Sequence, residues 1–513
     1  MTSSLAIAST SELATQAGAE MAHAGGNAVD AAIAAALVSI NTEPGVCSLG
    51  CGGYITIWPP GGKPVTLDGY VAAPGKGSGV AETDRNSVEV QLDYGGGVTT
   101  IVGPDSVGVP GGIAALGAAS EGFGRLPWRE LFEPAVQVTH DGFPLPEASY
   151  NYLIHSGELI FGRSEDGYKA LHHADGRLKK VGETIYVPHL ADSLERIAQH
   201  GADEFYTGAV GKAMADYIED NGGRLRSEDL TSYQVIHRPS LLVSMGAWEI
   251  ATNPPPAVGG TVLAAMLQMM NRRPIREWNI EAVEYLIEVQ KAALGYRRDH
   301  LDLSEQIDAD AARLLDLART DDPGTVLEAG STCHTSAVDR SGLSCAITMS
   351  AGYSAGDMPP HTGIWLNNCL GELELNKRGL NVGPPGSRLP SNMAPTAALS
   401  RDCQALAIGS PGADRITTAI LQTLVNFLHL EMPLEDSIKS PRCHVEFGSG
   451  GYRVAYEAGI PVDQLAVPQR SFDALSMFFG GVGAAVWSPD AGFTVAADPR
   501  RTGAVWSHDS QPV

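Results

Sequence analysis

Gly330-Ser331-Thr332-Cys333-His334-Thr335-Ser336-Ala337-Val338-Asp339, followed by Arg340-Ser341-Gly342 and the run 343–350, decides how this chain is read. Residues 332–339 and 343–350 alternate as strands do, and Arg340-Ser341-Gly342 reads as the tight turn between them. On the first strand Thr332, His334, Ser336 and Val338 fall on one face. In an unbroken chain Thr332 is an ordinary strand threonine. If the chain is cut between Ser331 and Thr332, the new α-amino group can act as base for the Thr332 hydroxyl. Its reference pKa of about 7.7–8.0 leaves much of it neutral near neutral pH. The functional question is therefore whether this chain cuts itself.

Outward from this hairpin lie two further constellations. Gly409-Ser410-Pro411-Gly412-Ala413 sits between a strand expected at 405–408 and a helix expected at 414–428. A glycine turn at a helix N-terminus presents backbone N–H groups to an anion, which suits an oxyanion hole. No Gly-Lys-Ser/Thr follows, which disfavours a P-loop, and a plain strand-to-helix turn has the same pattern. Asn367-Asn368-Cys369-Leu370-Gly371-Glu372 and Leu389-Pro390-Ser391-Asn392-Met393-Ala394-Pro395 mix hydroxyl, amide and carboxylate groups. They could bind a polar substrate or simply serve local turns.

Toward the N-terminus, 11–24 reads as a helix ended by Gly25-Gly26, and Asn27 as the N-cap of a second helix over 28–40. Strands are expected at 54–58 and 64–70. The region 128–300 reads as mainly helical, with helices near 191–199, 210–221, 261–271 and 280–296. The acidic stretch 300–328 reads as a mobile linker before the proposed cut. Short strands are expected near Val454, Ala484 and Thr494.

Bulk properties narrow the class. With 513 residues the chain can bury a large core, and about 150 residues per domain is only a soft guide. A net charge of −24 disfavours nucleic acid and anionic membranes as partners. Seven scattered cysteines do not make a disulfide framework. Cys47 and Cys51 alone are too few for a metal site, and no metal or cofactor is expected. The N-terminal residues lack a basic, apolar leader pattern, so a cytoplasmic protein is expected. No run is long enough for a transmembrane helix.

Taken together and in this order, the segments resemble the γ-glutamyltransferase family of N-terminal nucleophile (Ntn) hydrolases. GGNAVDAAIAAALVSINTEPG (25–45), Cys51-Gly52-Gly53 and Val109-Pro110-Gly111-Gly112 look like its large-subunit signatures. Thr332 to Asp339 looks like its small-subunit start, and GSPGADRITTAILQ (409–422) like its Gly-Ser-Pro-Gly-Gly segment. The resemblance implies an α/β, four-layer αββα sandwich of two stacked, mainly antiparallel sheets flanked by helices. It also implies autocleavage into a large subunit, 1–331, and a small one, 332–513, which pair as a heterodimer and can assemble further. Carried over by position, it implies that Thr332 is nucleophile and self-cleaving residue and that Ser350 supports it. Gly412 and Ala413 would supply the oxyanion-hole N–H groups, provided the backbone at 413 does not demand a positive φ. Glu372 replaces an Asp that binds the substrate's α-amino group.

Other positions depart from the family. Tyr70 stands where an Arg clamps the γ-glutamyl α-carboxylate, and a phenol cannot give a bidentate charged clamp. The usual Ser-Ser pair is Ser391-Asn392, an Asn is Gly352 and a Gln is Cys369. The sequence therefore predicts a small amide as acyl donor, not an ordinary γ-glutamyl compound. The short segment from Glu372 to Ser391 predicts a reduced lid and favours hydrolysis over transfer. A true γ-glutamyltranspeptidase whose clamp is rebuilt from Arg388 or Arg415 is the nearest alternative. An uncut, ligand-binding relative is the alternative of another class.

Overall fold

The computed structural model describes residues 2–79, 85–93, 97–319, 332–448 and 451–509. Its centre is two stacked antiparallel sheets. The first has seven strands in the spatial order Ala504–His508, Leu5–Ser9, Cys333–Asp339, Ser344–Ser350, Gly52–Trp58, Val65–Gly69, Ile236–Pro239. The second has six, in the order Gly492–Ala497, Gly483–Ser488, Ala405–Gly409, Thr396–Ser400, Trp248–Thr252, Leu241–Met245. The strand that begins after Thr332 is central in the first sheet. It pairs Cys333 with Met349 on one side and Ala337 with Ile7 on the other.

Alternation along the strands builds the layers. Ala6, Val338 and Ala346 of the first sheet meet Ala407 and Ala485 of the second, and Trp58 meets Ala251 and Ala397. Small side chains at most of these positions let the sheets approach closely. On the opposite face of the same strands, Cys333 and Ala337 join the core under the helices. Helix Ala28–Thr42 lies there, and all fifteen of its residues are buried. A helix apolar on every side belongs inside, and its alanines admit neighbours all round. Asn27 starts it: its carboxamide oxygen accepts from Val29 and Asp30, while Asp30 accepts from the Asn27 N–H. Helices Val258–Arg272 and Arg415–Leu428 cover the second sheet. The result is helix, sheet, sheet, helix.

Several expectations differ from the structure. The strand Leu5–Ser9, fully buried between two partners, was not expected from the N-terminal sequence. Five apolar or small residues in a row carry no period, so only pairing reveals them as a strand. Within the region 128–300, read as mainly helical, Ile236–Pro239, Leu241–Met245 and Trp248–Thr252 supply three strands to the main sheets that the sequence reading did not place. Part of the expected linker is helix Ile307–Leu317, docked through Ala311 and Leu314. Tyr296 Oη donates to the Asp310 carbonyl and Arg272 to that of Ala318. Residues 320–331, with Ser331 and the proposed cut, lie outside the described residues.

Candidate active site

Thr332 is buried, 5% exposed, immediately before the central strand. Continuing the register from Cys333–Met349 sets it across from Ser350, the last residue of the neighbouring strand. His334, two residues on and facing the same way, lies against Gly409: a Cβ there would be 2.2 Å from the His334 ring. Thr332 is therefore at the end of the sandwich where the chain leaves the second sheet at Gly409. That is where the turn 410–414 begins. Sequence-distant groups meet here because both sheets end on the same side.

His334 itself is structural. Its Nδ1 is 2.8 Å from Thr348 Oγ1 and its Nε2 2.7 Å from Ser336 Oγ, which donates to the Gly483 carbonyl. Burial pushes its pKa down to about 3, so it is neutral and pins the two sheets together. His361 is a loop residue. Among the described residues no group of three or more His, Cys, Asp or Glu side chains is placed to hold a metal ion.

The glycine turn is rigidly built. Ser410 Oγ donates to the Pro411 carbonyl, 2.6 Å, and accepts from the Gly481 N–H, 3.0 Å. Gly412 has φ 125°, and a Cβ on it would come within 2.7 Å of Gly480 Cα. Ala413 has φ 58°. The provision made for Ala413 is thus not met: the backbone does take the left-handed conformation, at a cost of about 1–2 kcal/mol for a residue with a Cβ. The N–H is nonetheless present, and neither it nor that of Gly412 meets an acceptor among the described residues. Helix Arg415–Leu428 starts at once, and its dipole adds positive potential at the turn.

Two arms bring polar groups to this end. After Ser350, whose Oγ accepts from the Gly352 N–H at 3.0 Å, the chain turns at Gly352 with φ 66°. A Cβ at Gly352 would lie 2.5 Å from Asn368 Oδ1 and 3.3 Å from Glu372 Oε2, so an Asn could not fit without movement. Glu372 is buried, and among the described residues its Oε1 has no hydrogen-bond partner. Burial first, then the charges of Glu374 and Asp414, push its pKa well up. Tyr70, stacked on Tyr54 at 5.6 Å, packs with Cys369, Leu370, Leu389 and Met393. Asn392 donates to Asp414, and Ser391 holds the same loop by accepting from Met393 N–H at 3.2 Å.

Sequence reasoning missed four members of this constellation. Arg297 donates to Asp414 at 2.5 Å and to Asp302 at 2.8 Å, tying the helical region to the turn. Tyr353 Oη donates to Glu374 at 2.6 Å, and burial pushes the Glu374 carboxyl up to about 8. Arg297 and Asp302 carry no local motif. Glu374, two residues past Glu372, and Tyr353, next to Gly352, each had a nearby signal.

Both candidate clamps are otherwise engaged. Arg388 donates to the buried Asp68 at 3.1 Å and to the Gln234 carbonyl at 2.5 Å, and lies over the Tyr233 ring. Arg238 takes the other Asp68 oxygen at 2.8 Å. Arg415 donates to the Phe478 carbonyl at 2.9 Å and stacks on that ring.

Residues 14–507 match the family model for γ-glutamyltranspeptidase. The chain belongs to the γ-glutamyltranspeptidase family. It is 28% identical to the glutathione hydrolase proenzyme of Escherichia coli, over 96% of this chain and 90% of that one. It is 29% identical to the acylase ACY 1 proenzyme of Pseudomonas sp. strain SE83, over 98% and 92% respectively. The cephalosporin acylase from Bacillus halodurans superposes with a TM-score of 0.79 at 22% identity, over 99% of this chain and 97% of that one, which shows the shared fold. As a member of this family the chain is an Ntn hydrolase with the expected αββα architecture.

Proposed function

We propose that this γ-glutamyltranspeptidase-family enzyme cuts itself between Ser331 and Thr332 and then acts as an N-terminal-threonine amide hydrolase on a small amide other than a γ-glutamyl compound. The observation that carries the reading is Thr332 at the head of a central strand, across from Ser350 and at the end of the sandwich where Gly412 and Ala413 present N–H groups. The proenzyme names of the relatives agree with self-processing.

The chemistry follows from these parts. The neutral α-amine of Thr332 takes the Oγ proton as Oγ attacks the amide carbon. The resulting oxyanion is received by the N–H groups of Gly412 and Ala413. The C–N bond breaks, the leaving amine collects the proton, and the acyl group stays on Oγ. Water then attacks this ester with the α-amine again as base, releasing the acid and restoring the hydroxyl. Ser350 lies beside Thr332 and supports its hydroxyl.

Tyr70 in an apolar cluster, together with the engagement of Arg388 and Arg415, supports a donor other than γ-glutamyl. Losing a charged hydrogen-bond partner costs about 1.5–3 kcal/mol. The glutathione hydrolase relatives favour the second reading, a true γ-glutamyltranspeptidase. Turnover of glutathione against a panel of other amides decides between them: weak glutathione hydrolysis beside a much better amide supports the proposal, and glutathione as the best substrate sinks it.

A further inference from the structure

The end of the sandwich that holds Thr332 is rich in carboxylates, and the arginines around it are already engaged. Glu372 is 1% exposed, with Oε2 beside Gly352 and Oε1 without a hydrogen-bond partner among the described residues. Glu374 is held by Tyr353, whose N–H is bound by Asn368 Oδ1 at 2.7 Å, so both acids hang on the same turn. Asp414 is close enough to both to push their pKa values upward, but its own charge is met by Arg297. The arginines nearby are engaged, and the exposed Lys377 acts on Glu374 but not on Glu372. Arg388 and Arg238 belong to Asp68, Arg297 to Asp302 and Asp414, and Arg415 lies on Phe478. Tyr70 and Cys369 add bulk without charge.

A buried carboxyl with an empty oxygen is costly unless something donates to it. Its natural complement is an ammonium, and a carboxylate on the same ligand would meet repulsion and no clamp. We propose that the acyl group of the substrate carries a cationic amine with no carboxylate beside it, and that Glu372 and Glu374 receive that amine jointly. The inference rests on Thr332 being the nucleophile, and extends that reading to the substrate class.

Four 4-nitroanilides isolate the two charges: 4-aminobutanoyl (amine alone), glutaryl (carboxylate alone), γ-glutamyl (both) and butanoyl (neither). With purified, processed enzyme, kcat/KM is expected to be at least about tenfold higher for 4-aminobutanoyl than for γ-glutamyl, and higher still relative to glutaryl. Spontaneous cyclisation of the 4-aminobutanoyl compound is subtracted with enzyme-free blanks. Glu374→Gln should lower the 4-aminobutanoyl value about tenfold and the butanoyl value by much less, a charge-selective loss that a general structural defect would not give. A preference for glutaryl or γ-glutamyl, with turnover still lost in Thr332→Ala, overturns this inference alone. Turnover that survives Thr332→Ala overturns the nucleophile assignment instead. Should no anilide be cleaved, the thermal midpoint with 4-aminobutanamide or glutaramate decides. Stabilisation by the amine only supports the inference, and stabilisation by neither or by glutaramate contradicts it.

Discussion

Thr332→Ala removes a hydroxyl and a methyl group from a buried position and leaves the strand pairing of Cys333 onward untouched. The expected result is a folded protein that is neither cut nor active. Thr332→Ser, which keeps a hydroxyl, should retain cutting and part of the turnover. Activity in the alanine variant would remove Thr332 from the mechanism. Ala413 offers the opposite kind of test. Its left-handed backbone costs an alanine about 1–2 kcal/mol that glycine does not incur. Ala413→Gly should therefore raise stability by about 1 kcal/mol in denaturant unfolding while kcat stays near the parent value. Loss of activity would mean that the methyl group, and not only the N–H, is used.

At the scale of elements, two features are open to measurement. Asn27 caps the buried helix Ala28–Thr42 with two accepted bonds, and its amide donates to the Phe123 carbonyl at 2.7 Å. Asn27→Ala should cost about 1–2 kcal/mol in unfolding free energy, and a change near zero would show that the neighbouring Asp30 suffices. At the other end of that helix, Glu43 is buried and accepts from Thr10 Oγ1. Burial pushes its pKa from 4.5 up to about 7. A carboxyl with a raised folded pKa contributes stability that is fully present below its unfolded value and lost as pH rises through the folded value. The thermal midpoint should thus decline between about pH 4.5 and about pH 7 by more in the parent than in Glu43→Gln. Equal slopes in the two proteins would assign the pH dependence elsewhere.

Across the whole molecule, the layers were legible wherever a pattern repeats locally. Alternation over 332–350, the Asn27 cap and the strand–glycine–helix order at 405–428 all became the predicted elements. Leu5–Ser9 and the three strands of 236–252 were not legible, because their reason for being strands is a partner far away in the chain. The candidate site divides the same way. Tyr70, Gly352, Cys369 and Glu372 could be picked out by position, and the structure gathers them at the end of the sandwich that holds Thr332. The engagement of Arg388 by Asp68 and of Asp414 by Arg297 depends on contacts across 320 and 117 residues, and no local motif announces them. All of this geometry acquires chemical meaning only if the peptide bond before Thr332 is hydrolysed. Intact-mass spectrometry of freshly purified, active protein tests that most directly. The account predicts two polypeptides, the smaller beginning at Thr332, whose masses together equal the 53.9 kDa chain plus one water. A single uncut chain in a preparation with full amide-hydrolase activity would contradict it.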